Sequence, residues 1–173
     1  MVNVRIEQLK SIEKNAGELS ELLVQVVNEG ASMGFLPPMK LSDANKYWRH
    51  VLEQNVVLFV AKIKNQIAGS IQLHLCTKPN GMHRAEIAKL MTAPHYRRNG
   101  VARALMRAAE KRASEEGRTL LVLDTREGDP SNRLYTSLAY IQAGKIPYYA
   151  KSANGQLDST IIYYKSLHPD NFK

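Results

Sequence analysis

A single cysteine in 173 residues excludes an intramolecular disulfide, so the fold must be held by its core. That residue, Cys76, closes an apolar alternating run and reads as a buried thiol rather than a nucleophile. No apolar run reaches the length of a membrane span, and Met1 to Lys10 is polar and alternating, without a basic-then-apolar leader pattern. A cytoplasmic protein with no membrane partner is therefore expected. Repeats and low-complexity stretches are missing. The five histidines form no pair at metal-ligand spacing, so no metal is expected. The net charge of +8 fits an anionic cofactor or substrate, and equally a generally basic surface. With Lys and Arg spread along the chain and no motif of a nucleic-acid module, it does not indicate nucleic acid.

What is present is a run of short, well-punctuated elements. The length suits one domain, residues 1–173, since two would each be marginal. Val2, Val4 and Ile6 alternate with polar residues as a first strand. Leu19, Leu22, Leu23, Val26 and Val27 recur at helical spacing from Glu18 to Asn28, and the helix stops near Gly30. A Gly- and Pro-rich yet apolar loop, Ala31 to Met39, either packs on the core or lines a pocket. Ser42 is placed to cap a second helix whose buried stripe is Ala44, Tyr47, Trp48 and Val51.

From Asn55 the period changes to two. Val56–Ala61 and Ile67–Cys76 form a hairpin around Lys64-Asn65-Gln66, and His83–Thr92 follows as a third consecutive strand. A helix beyond Gly100 buries Val101, Leu105, Ala108 and Ala109 and ends at Gly117. Thr119–Leu123 is almost unbroken apolar, as in a strand covered on both faces, and ends at Asp124. Asp129 is placed as cap and Pro130 as first residue of a short helix through Leu138. Tyr140–Tyr149 and Leu157–Leu167 read as strands joined through Asn154-Gly155. The tyrosines Tyr148, Tyr149, Tyr163 and Tyr164 are expected to form cross-strand pairs. The order gives an α/β (α+β) sandwich around a mixed sheet.

The segment between the third strand and the long helix carries the chemistry. A tight basic turn leads into a helix N-terminus, where unpaired amides and the helix dipole attract anions. Gly100 removes a side chain where a diphosphate must approach, and Arg97, Arg98 and Arg103 surround it with charge. The pattern Leu90-x-Thr92-x-Pro94-x-x-Arg97-x-x-Gly100-x-Ala102, after three meandering strands and before strand and helix, resembles the acyl-CoA motif of the GNAT N-acetyltransferases. Leu134-Tyr135 with Ala139-Tyr140 is similar to that family's later Leu-Tyr…Gly-Phe segment. Gly34-Phe35-Leu36-Pro37-Pro38, Ala88-Lys89-Leu90-Met91 and the run Leu120 to Thr125 resemble the tabtoxin-resistance group of small bacterial detoxifying acetyltransferases.

The resemblance implies a single-domain acyltransferase fold with a mixed, mostly antiparallel sheet of about seven strands flanked by helices. It implies acetyl-CoA as co-substrate, its diphosphate on Arg97, Arg98, Asn99, Gly100, Val101, Ala102 and Arg103. Its pantetheine arm would pair with Leu90, Met91 and Thr92 as an added strand. Where the family has an Asn seven residues before the tyrosine, this chain has Gly128, so either Ser131 or Asn132 substitutes or the contact is lost.

Amine acetylation needs a base, and Glu86 and Asp124 are the candidates. Glu86 interrupts an apolar, small-residue strand, where desolvation would raise its pKa, and it reads equally as solvent-facing. Asp124 lies where the apolar strand ends, the place where ligands of open α/β sheets collect, or it makes a terminating Asx turn. Tyr135 matches the family's general acid, against a plain core tyrosine. Phe35, Leu36, Trp48 and Tyr149 are expected to wall a small amine acceptor in a monomer or homodimer. The rival readings are a silent acyl-CoA-binding regulator and a basic interaction module.

Overall fold

The computed structural model describes residues 2–52 and 55–167. Strand β1 (Arg5–Leu9) is followed by helices α1 (Ala16–Asn28) and α2 (Leu41–Arg49), then by the meander β2 (Val56–Ile63), β3 (Gln66–Leu75) and β4 (Arg84–Thr92). Helix α3 (Val101–Glu115), β5 (Leu120–Arg126), α4 (Ser131–Ser137), β6 (Ile141–Lys151) and β7 (Leu157–Ser166) complete the chain. The seven strands form one sheet in the order β1-β2-β3-β4-β5-β7-β6. Every neighbouring pair is antiparallel except β4 and β5. This is the expected mixed, mostly antiparallel sheet flanked by helices.

Two cores lie on opposite faces. Helix α3 places Val101, Leu105, Met106, Ala109 and Ala113, at helical spacing, over the inward residues of β2–β5. Helices α1 and α2 cover the other face with Leu19, Leu22, Leu23, Val26, Val27, Ala44 and Trp48. The two helices meet β2 from above: Leu58 and Val60 point into the same cluster. Helix α3 comes unusually close to β3, because a Cβ on Gly69 would stand 2.5 Å from the Met91 carbonyl oxygen and 2.8 Å from Val101 Cγ1.

Turn chemistry agrees with the residues that form it. Lys64 and Asn65 both take positive φ (49° and 65°), the two-residue geometry that matches strand twist in a hairpin. Gly117, at φ +70°, ends α3 in the left-handed region.

Several local expectations shift. Strand β1 starts at Arg5, three residues later than the Val2 pattern suggests. Lys40, not Ser42, precedes the first residue of α2, and no side chain caps it. Pro130, not Asp129, is the N-cap of α4, because Asp129 turns its carboxylate to Arg126. Strand β5 runs on past Asp124 to Arg126. The four tyrosines do not pair: Tyr163 and Tyr164 face Gln142 and Ile141, while Tyr148 and Tyr149 fall in a register break of β6. An irregular edge strand has no fixed partner for them. Among the described residues, no helix is long and apolar enough to cross a membrane.

Candidate active site

The parallel contact is brief, and that shapes the site. Strands β4 and β5 pair only over Arg84–Glu86 and Leu120–Val122. Beyond Glu86 the two strands part, with β4 held by β3 and β5 held by β7. Ser70 pairs with Met91 but Gln72 with Ala88, so Lys89 and Leu90 face the single residue Ile71 across a β-bulge. Lys89 takes φ 53° there. The bulge bends β4 away from β5 and opens facing backbone edges into which an extended chain can pair.

At the far end of β4 the chain makes a short turn at Pro94–Tyr96 and enters α3. Arg98 (φ 66°) and Gly100 (φ 78°) lie in the left-handed region. The amides of residues 98–103 donate to no described residue, and α3 has no side-chain cap. Nothing lies within 4 Å of a Cβ built on Gly100. Such a row of outward amides at a helix N-terminus, with Arg98 and Arg103 around it, fits a diphosphate. Asn99 braces the turn by donating to the carbonyls of Tyr96 (3.2 Å) and Arg97 (3.1 Å). Arg97 departs from the expectation: its guanidinium is paired at 2.8 Å with Glu29 at the end of α1. Arg103 donates to Ser137 at 2.8 Å, tying α3 to α4.

The three candidate proton carriers converge on the fork. Glu86 occupies the last position of β4 that pairs with β5, opposite Val122 on one side and His74 on the other. It is exposed, so the desolvated carboxylate suggested by its apolar neighbours is not found. A two-residue alternation turns it away from Ala85 and Ile87, which are in the core. Asp124, also exposed, accepts a hydrogen bond of 2.7 Å from Thr160 Oγ1 on β7, which fixes its carboxylate. Tyr135 enters from α4, 5% exposed, with its ring 5.8 Å from Tyr163 and 6.0 Å from Tyr140. Its hydroxyl makes no hydrogen bond to a described residue. Burial, with the charges of Asp124 and Asp129 adding, raises its pKa well above that of a free phenol. Tyr135 is thus held neutral and able to donate.

Leu90 and Thr92 are half-buried at the edge of the fork, and Met91 is buried under α1 and α2, so it can offer an arm only its backbone. Val101 is likewise buried, and Ala102 is half-buried beside it. Asn132 is already committed. Its amide donates to the carbonyls of Arg126 and Asp129, both at 2.9 Å, and its oxygen accepts from Tyr163 at 2.8 Å. Ser131 shares a 2.6 Å hydrogen bond with Thr125. Both residues thus fasten α4 to β5 with the side-chain groups that would otherwise face an arm beside Gly128.

The acceptor side is built differently from the expectation. Trp48 is fully buried and donates its indole N–H to the Leu19 carbonyl at 2.9 Å, so it is a core residue and not a wall. Its spacing in the α2 stripe made both roles equivalent in sequence. Tyr149 is 55% exposed on the edge strand and lies outside the cavity. Phe35 and Leu36 do line a cavity of about 240 Å³, together with Gly30, Ala31, Ser32, Gly34, Pro37, Arg126 and the turn Ala150–Ala153. Arg126 organises it, donating to Asp129 (3.0 Å), to Ser152 Oγ (3.1 Å) and to the Gly30 carbonyl (3.1 Å). Alternation puts Arg126 and Asp124 on the same face of β5, roughly 7 Å apart along the strand.

Lys89 was not singled out by sequence reasoning. Its ammonium donates to the Met33 carbonyl at 2.6 Å and lies 5.6 Å from the centre of the Phe35 ring. Burial lowers its pKa, opposed by the charges of Asp124 and Glu86. The available signal was a lysine breaking an apolar strand three residues after Glu86.

The fold is that of an acetyltransferase. It superposes with a TM-score of 0.83 on an N-acetyltransferase from Staphylococcus aureus Mu50, at 14% identity over 96% of this chain and 99% of that one. The Salmonella typhimurium protein yncA, solved with its cofactor acetyl-CoA, gives 0.79 at 13% identity over 97% and 96%. The ribosomal-protein-S18-alanine N-acetyltransferase of Escherichia coli gives 0.73 at 17% identity over 99% of both chains. The model of the acetyltransferase (GNAT) family matches residues 23–140, and the chain belongs to that family. The family uses acetyl-CoA, and the amide row at residues 98–103 with the open edges of β4 and β5 fits such a cofactor.

Proposed function

We propose that the protein is an N-acetyltransferase that modifies the amine of a small polar acceptor. Acetyl-CoA supplies the acetyl group as a thioester. The amides of residues 98–103 would hold its diphosphate, and the β4 edge near Leu90–Thr92 its arm. Asp124 and Glu86 would bind the acceptor's ammonium at the fork and take up its proton, directly or through water. Tyr135, neutral and electrostatically coupled to Asp124, would protonate the leaving thiolate. A backbone N–H on the free edge of β4 would stabilise the charge that develops on the carbonyl oxygen.

The observation that carries the choice of a small acceptor is the cavity of about 240 Å³ between the 30–37 loop and the β6–β7 turn. It is a partly open recess with Phe35, Leu36 and Pro37 on one side and Arg126, Lys151 and Ser152 on the other, sized for a small molecule, where a protein tail would need a longer groove. The resemblance to detoxifying acetyltransferases supports an amino-containing antibiotic or toxin as acceptor. The test is to incubate purified protein with acetyl-CoA and a panel of amino acids, polyamines and amino-containing antibiotics, and to weigh the products. Gain of one acetyl group on a panel member is expected; no product with any member would favour the silent acyl-CoA-binding regulator.

A further inference from the structure

Charge is sorted across the acceptor side. The two carboxylates, Glu86 and Asp124, stand at the fork of β4 and β5. The cavity beside them has no acidic side chain in its lining and two basic ones, Lys151 and Arg126, the latter paired from behind with Asp129. Lys89 stands between these regions, reaching from the bulge of β4 to the loop that roofs the cavity.

Three features set Lys89 apart from an ordinary surface lysine. Its backbone takes φ 53°, a conformation disfavoured for a side chain of this size, so the bulge aims it at some cost. Its ammonium is partly desolvated, and the charges of Asp124 and Glu86 offset only part of that cost. Only one of its three N–H bonds is committed among the described residues, to the Met33 carbonyl. Gly34 admits this approach, since a Cβ there would be 3.0 Å from the ammonium. Tethering the loop to one carbonyl would need only a neutral donor. A full positive charge with two spare donors, next to the site of an incoming amine, is suited to a negative group on the same molecule.

We infer that Lys89 is a specificity-determining residue, and that the acceptor is an amine carrying its own anionic group, a carboxylate or phosphonate, near the reacting nitrogen. The amine faces Asp124 and Glu86, and the anion faces Lys89 with Arg126 behind it. This inference rests on the acetyltransferase reading above. The same charge repels a second ammonium, so diamines and polyamines of equal length are poor acceptors.

The test uses matched skeletons, each offered as amino acid, aminoalkylphosphonate, decarboxylated amine and diamine, with thiol release from acetyl-CoA as readout. The anionic forms are expected to exceed the plain amine in kcat/KM by on the order of 10- to 100-fold, the worth of one charged hydrogen-bonded contact. Lys89→Gln should erase most of that preference, with the loss falling on KM more than on kcat, and Lys89→Arg should retain it. Plain amines or diamines acetylated as well as the anionic forms would overturn the inference while leaving the transferase reading intact. So would a preference that survives Lys89→Gln. A loss in Lys89→Gln that is equal for charged and uncharged acceptors would mark the residue as a loop tether only and also overturn it. No thiol release with any skeleton would overturn the transferase reading, and this inference with it.

Discussion

Replacing Tyr135 by phenylalanine isolates a single proton. The ring is 5% exposed and packed against Tyr140 and Tyr163, and all of that packing survives in phenylalanine. The hydroxyl makes no internal hydrogen bond among the described residues, so none is broken. Stability should therefore change by less than about 0.5 kcal/mol. Loss of a general acid costs about 10²- to 10⁴-fold. The lower end applies here, because water can reach the fork and protonate a leaving thiolate in its place. About 10²-fold in turnover corresponds to about 2.7 kcal/mol of transition-state stabilisation. The assay is thiol release from acetyl-CoA at saturating acceptor, from about pH 6 to about pH 9, where acid–base groups of this kind are usually read. Calorimetric affinity for coenzyme A and the melting temperature serve as controls. Since burial and Asp124 push the phenol above its ordinary value, the wild type should show no alkaline decline due to Tyr135 in that range. Turnover within about threefold of wild type at every pH would refute the general-acid role. A loss matched by an equal fall in coenzyme A affinity would refute the reasoning that the hydroxyl serves only the chemistry.

Three further outcomes are expected. Gly69→Ala should destabilise the fold by about 3 kcal/mol in urea denaturation, because the new methyl meets the Met91 backbone and Val101 and must push α3 off β3; a loss below about 1 kcal/mol would show that the contact relaxes freely. Asn132→Ala should cost about 2 kcal/mol by freeing two carbonyls and the Tyr163 hydroxyl while coenzyme A affinity holds; a tenfold weaker affinity at unchanged stability would instead restore Asn132 as a contact of the cofactor arm. Tyr47, Tyr135 and Tyr140 all have pKa values raised by burial. Their neutral forms are the ones the fold accommodates, so this stabilisation is complete below about pH 10 and is lost as pH rises through the folded values. Ultraviolet titration should accordingly show three of the eight tyrosines ionising only as the protein unfolds, and all eight ionising together near pH 10 in folded protein would contradict it.

Much of the fold was legible because it is written locally. The hairpin at Lys64-Asn65, the α3 stripe ending at Gly117 and the basic turn at Arg97–Arg103 each depend on residues close together in the chain. Glu86 and Asp124 are legible the same way, as a carboxylate inside an apolar strand and one at a strand's end, whereas Tyr135 rests on the resemblance to the family's Leu-Tyr segment. Trp48 shows the limit. A large aromatic on an amphipathic helix suits a pocket wall and a core alike, and only the Leu19 carbonyl, received from another helix, makes it core. Asn132 shows another: two of its partners, Arg126 and Asp129, lie just before it in the chain, but the third, Tyr163, comes from β7 and only the fold brings it there.

By itself, then, the sequence determined the elements, their inward faces, and the basic turn that opens α3, since periodicity and turn chemistry act over a few residues. Tertiary structure decided what those elements do together. Strand β5 pairs with β4 for only three residues before the two part, while β7, more than thirty residues further along the chain, holds β5 over its whole length. That divergence makes the fork, and the bulge at Lys89–Leu90 turns a lysine of unremarkable context toward the carbonyl of Met33. Neither can be read from spacing, because both follow from which backbone edge hydrogen-bonds to which. That choice is settled by the packing of the whole sheet between its two helical layers.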